Sequence, residues 1–109
     1  MSSLELVSYF FGGAFFTNAV PHFVSGVMGR AFQSPFAKPR GKGLSSSTIN
    51  VAWGAFNLVI AYVLLRRGGD FDWKVTSDAA AFWLGVLLMG LLCARLFGRF
   101  HGGDKSTPA

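Results

Sequence analysis

Charge is scarce in this chain. Asp, Glu, Lys and Arg make up 14% of its 109 residues, against roughly 25% in soluble globular chains. Three stretches, 6–28, 47–65 and 79–94, hold none of the four. A soluble bundle of helices buried on every side would need a larger polar shell than so short a chain supplies, so the composition favours membrane insertion. Cysteine is nearly missing too. The single Cys93 excludes an internal disulfide framework and a cysteine-based zinc site, and within an apolar run it reads as a small packing residue. The apolar–polar alternation of barrel strands is absent, because 59–65 and 82–93 are apolar at nearly every position. Catalytic signatures are lacking as well. There is no HExxH, no nucleophile elbow and no pair of buried carboxylates, and His22 near Ser25 has no orienting acid. The chain is expected not to be an enzyme and to hold no metal.

What remains is apolar sequence in runs of spanning length. A helix needs about 20 mainly apolar residues to cross a hydrocarbon core of roughly 30 Å, and helices are the one spanning structure left once barrels are set aside. The expected fold is an all-α membrane protein, one domain over 1–109, with three transmembrane helices at about 5–29, 47–66 and 78–97. A basic loop at 30–46, a short loop at 67–77 and a polar tail at 100–109 connect and follow them. No Lys or Arg precedes the first run, and Asn18, Ala19, Val20 and Pro21 make a poor cleavage site, so the run is expected to be a retained span. A variant ends that span near Val20 and lays 22–32 along the interface.

The positive charges orient the spans. One side would carry Arg30, Lys38, Arg40, Lys42, Arg95, Arg99 and Lys105; the other Arg66, Arg67 and Lys74, together with Glu5, Asp70, Asp72 and Asp78. The expectation is an N-terminus outside and a cytoplasmic C-terminus, in a bacterial inner membrane. The formal net charge of +5 then reflects basic loops at an anionic leaflet, with Arg30, Lys38, Arg40 and Lys42 as headgroup contacts. Nucleic-acid binding is not expected, because the charge is divided between segments that flank spans. Gly41, Lys42 and Gly43 lack the spacing of a phosphate loop. Asp70 and Asp72 lack the further ligands of a calcium loop. Ser77 is the expected cap of the third helix.

Helical projection gives the first run two faces. Phe16, Val20, Phe23 and Val27 form a bulky one suited to lipid; Gly13, Ala14, Thr17, Asn18, Pro21, His22, Ser25, Gly26 and Gly29 form a small and polar one suited to packing. Pro21 removes an amide donor and is expected to bend the helix near 17–21. In the second run Asn50, Trp53, Gly54, Asn57 and Ala61 share a face, and in the third Gly90, Ala94 and Gly98 recur at every fourth position. At 1.5 Å rise per residue, Asn18 and Asn57 lie at matching depth, as do His22 and Trp53. An Asn18–Asn57 contact and a His22–Trp53 or His22–Asn50 neighbourhood follow, since an unpaired amide in hydrocarbon costs several kcal/mol.

His22 is the ionisable group lying well inside a run, and such groups are read as functional by default. Structural packing is the bland reading. A polar pathway through Asn18, His22, Asn50, Trp53 and Asn57 is the sharper one, and haem ligation through His22 a third. The function expected from these residues is helix–helix association, as accessory subunit of a membrane complex or as homo-oligomer. The alternative is a small oligomeric channel or transporter for an ion, proton or small solute.

Overall fold

The computed structural model describes residues 3–67 and 70–103. Three helices dominate: α1 (Ser3–Val27), α2 (Ser47–Arg67) and α3 (Thr76–His101). Between α1 and α2 two short strands, β1 (Phe32–Gln33) and β2 (Leu44–Ser45), pair antiparallel with Phe32 opposite Ser45. Helix α1 is the centre of the molecule, packing against α2 along one side and α3 along another, while α2 and α3 barely meet. Among the described helices, α2 and α3 are long and apolar enough to cross a bilayer. Helix α1 has the length, but Thr17, Asn18, His22 and Ser25 dilute its apolar run.

Glycine sets how closely the helices approach. A Cβ built on Gly13 would lie 2.1 Å from the Phe82 carbonyl oxygen, and one on Gly85 1.9 Å from that of Phe10, so α1 and α3 cross backbone to backbone. Along α2, a Cβ on Gly26 would meet the Ser47 carbonyl oxygen at 2.7 Å, and one on Gly54 the Phe23 backbone nitrogen at 2.7 Å. Such approach is what small residues permit in helix pairs. The expected packing roles of Gly13, Gly26 and Gly54 fit this geometry, and Gly85 and the buried Gly12 join them. Three other expected packing residues do not. Gly90 has Thr17 no closer than 3.8 Å, Ala94 is exposed and Gly98 is half-buried, because α3 diverges from α1 beyond the Gly13–Gly85 crossing.

Gly29 is a helix stop and not a packing residue. Its φ of 75° ends α1, the Gly29 amide donates to the Gly26 carbonyl and the Arg30 amide to that of Ser25, the double closure of a Schellman turn. Gly102, with φ of 70° and its amide on the Gly98 carbonyl, closes α3 likewise. Helix α1 runs unbroken through Pro21 to Val27. Phe23 also departs from its expected lipid-facing role, since its backbone and Cβ press against Gly54; α1 is flanked on two sides and has no half of its surface to spare.

At the start of α2, Ser46 caps with its hydroxyl accepting from the Ile49 amide at 3.2 Å. Helix α3 starts differently from expectation. Its N-cap is Val75, without a side-chain cap, and Ser77 lies inside the first turn. Asp78, fully buried, reaches back so that its Oδ2 accepts from the Asp72 amide at 3.1 Å. A carboxylate there also meets the positive end of the helix dipole. Beyond α3's expected end, the last turn extends to His101, so Phe100 and His101 are helical and not part of a polar tail. Lys105 and the tail from 104 lie outside the described residues, as do 68 and 69 of the second loop.

Candidate functional site

The polar residues of α1 and α2 converge between the helices. Asn18 Nδ2 donates to Asn57 Oδ1 at 3.1 Å, while Asn57 Nδ2 donates to the Trp53 carbonyl at 2.8 Å. Asn57 is completely buried. Cys93 of α3 approaches the same pair, its Sγ 3.9 Å from Asn18 Oδ1. One turn toward the basic end, His22 Nδ1 lies 2.9 Å from Asn50 Oδ1. The Asn50 amide nitrogen donates in turn to the carbonyls of Phe32, Ser45 and Ser46, at 3.0–3.2 Å. Because that nitrogen is committed to carbonyls, the Asn50 oxygen is the acceptor for the imidazole, and His22 carries its proton on Nδ1. Both expected contacts are therefore present within one chain, and Asn50 is the hub that ties α1 and α2 to the strand pair.

The loop between α1 and α2 folds back over this end of the bundle. Ser34 and Ser45 share a hydroxyl–hydroxyl hydrogen bond across the strand pair, and Gln33, Ser34, Ala37 and Ser45 are buried. Gln33 Oε1 meets His101 Nε2 of α3 at 2.9 Å, and the Phe32 ring stacks on the His101 ring at 5.1 Å. Phe32, Trp53 and Phe97 surround the His22 imidazole at 5.6, 6.3 and 5.7 Å between centroids. The loop is a folded cap, with Phe36 left outside at 61% exposure. Nothing in the sequence signals the Gln33–His101 pairing, which joins residues 68 positions apart.

Beneath the cap lies a cavity of about 410 Å³. Asn18, His22 and Trp53 line it from the bundle, and Arg40, Lys42 and Arg99 from the loop and α3. The Trp53 indole Nε1 is buried and has no hydrogen-bond partner among the described residues. Of the four expected headgroup residues, Arg40 and Lys42 line this cavity, whereas Arg30 and Lys38 are exposed without lining it. Arg99 lines the cavity from the last turn of α3, which extends beyond the expected end of that helix. The described acids are elsewhere: Glu5 and Asp70 line hollows with Arg67 and Arg66, and Asp72 pairs with Asp78, all at the opposite end. No group of three or more His, Cys, Asp or Glu that could hold a metal occurs among the described residues. Comparison with protein-family models, curated proteins and solved structures yields no match.

Proposed function

We propose that this chain is a three-span integral membrane protein of a bacterial inner membrane, with its N-terminus outside and its basic end cytoplasmic. It acts by helix–helix association, as accessory subunit of a membrane complex or as homo-oligomer. The observation that carries this reading is that the amides and the imidazole of the polar seam bond to one another. Asn18, His22, Asn50 and Asn57 all bond within one chain, which leaves helix faces as the surfaces open to a partner. On α3, Trp83, Leu84, Leu87, Leu88, Leu91 and Leu92 are about half exposed or more. Gly90, Ala94 and Gly98 run beside them, Gly90 with Thr17 of α1 no closer than 3.8 Å and Ala94 exposed, and small residues at every fourth position suit a second helix. Neither enzymatic chemistry nor haem belongs to this reading. A channel or transporter is the competing reading, favoured by the cavity that reaches Asn18 and His22.

Two measurements test it. In a Cys93→Ser background, Asp70→Cys should react with an impermeant maleimide from outside intact cells and Lys42→Cys only in inverted vesicles; the reverse pattern refutes the orientation. Native mass in lipid nanodiscs should show a discrete assembly that Ala94→Leu disperses. A particle containing one 11.7 kDa chain, unaltered by that substitution, would refute association.

A further inference from the structure

The cavity beneath the loop cap has the composition of an anion site with a partly apolar wall. Three cations from two elements, Arg40, Lys42 and Arg99, line it, and the described acids lie at the other end of the molecule. Trp53 lines the same cavity from α2. Guanidinium forks match the paired oxygens of a phosphate. The volume, about 410 Å³, falls within the roughly 300–1,000 Å³ of small-molecule sites and is several times that of a bare phosphate. Leu96 and Phe97 of α3 supply an apolar wall beside the cations, where the first carbons of an ester chain would fit.

We infer that this cavity binds a phosphate-bearing anion, held by Arg40, Lys42 and Arg99, with Trp53 on the cavity wall as the reporter of occupancy. The chemistry is shared by a phospholipid headgroup and by soluble phosphate, and the size and apolar wall favour the lipid. The inference builds on the reading of the basic end as the headgroup side, yet binding in detergent does not depend on orientation. A failed topology test and a failed binding test are therefore distinguishable.

The test uses the full chain, ¹⁵N-labelled on tryptophan, in a zwitterionic detergent. Its three indole N–H signals, from Trp53, Trp73 and Trp83, are assigned by Trp53→Phe and Trp83→Phe. Dioctanoyl phosphatidylglycerol, inorganic phosphate and dioctanoyl phosphatidylcholine are titrated in turn. Phosphatidylglycerol should move the Trp53 signal saturably and phosphatidylcholine should not. Movement by phosphatidylglycerol alone identifies a lipid site; movement by inorganic phosphate at comparable concentration identifies a soluble anion. The exposed-loop double variant Arg40→Ala/Lys42→Ala should retain the helical spectrum and weaken binding about thirtyfold, at about fivefold per near-surface cation. A stationary Trp53 signal with both anions, equal movement with phosphatidylcholine, or unchanged affinity in the double variant would each overturn the inference.

Discussion

Replacing Asn57 by leucine isolates what the polar seam contributes to the fold. The side chain is completely buried and makes two hydrogen bonds, one accepted from Asn18 and one donated to the Trp53 carbonyl. Leucine nearly preserves volume, so a cavity contributes little, and the Trp53 carbonyl keeps its helical partner. The loss falls on Asn18 Nδ2, which is left without its acceptor. An orphaned buried polar group costs about 1–3 kcal/mol, whereas coupling across helices in membranes averages about 0.6 kcal/mol and reaches about 1.7. Asn57→Leu should therefore destabilise by about 2 kcal/mol, and Asn18→Leu by about 1 kcal/mol, since Asn18 is only partly buried and Asn57 keeps its bond to Trp53. The double variant removes both partners together and should cost about 1 kcal/mol less than the sum. Reversible unfolding in mixed micelles, titrated with dodecyl sulfate and followed by helicity, gives all four free energies. Additivity within about 0.3 kcal/mol, the behaviour of independent sites, would refute the claim that the two amides hold α1 to α2.

Glycine positions should separate sharply in the same assay. Gly85→Ala places a methyl 1.9 Å from the Phe10 carbonyl oxygen, which neither backbone can yield, and should cost about 3 kcal/mol or more by overpacking. Gly90→Ala, with its nearest neighbour at 3.8 Å, should be neutral or stabilise by up to about 1 kcal/mol through helix propensity; equal effects at the two positions would refute the crossing geometry. His101→Ala should remove the hydrogen bond to Gln33 and the stack on Phe32. Amide exchange should then accelerate at Gln33 and Ser45, with the middle of α1 unchanged, and exchange unaltered in the loop would show that the cap does not depend on α3.

The helix pairing was legible in the sequence wherever a polar or small residue marked a face. Asn50, Gly54, Asn57 and Ala61 repeat at helical spacing and are the four buried residues of α2; the rise per residue matched Asn18 with Asn57 and His22 with Trp53, and left Trp53 and Asn50 open as the neighbour of His22. Gly85 carried no such mark. It stands among leucines on α3, and its role depends on where α1 crosses, a tertiary fact that spacing within one helix does not contain. The cap was illegible for a related reason: two residues per strand give no periodicity, and their stability comes from Asn50, Ser34 and His101. Ser77 was misread because capping propensity favours serine, while the buried Asp78 one residue later fixes where the chain turns.

The division of the bundle into two unlike halves bears on whether the seam could conduct. Toward the acidic end the helices meet as glycine on backbone, Gly13 against Phe82 and Gly85 against Phe10, with Gly12 against the Leu65 side chain, and Tyr9 and Asp78 are fully buried there. Water needs polar partners and room, and a crossing in which a single methyl would clash offers no room. Toward the basic end the same helix α1 diverges from α3, and the space between them is the cavity lined by Asn18, His22 and the three cations. A solute entering beneath the loop cap would reach Asn18 and meet the Asn18–Asn57 pair and then close-packed backbone, so within one chain it would leave by the way it came. The geometry thus favours a blind binding site over a pore, and a conducting path would have to lie between chains, along faces of α2 and α3 that carry none of the polar residues of the seam.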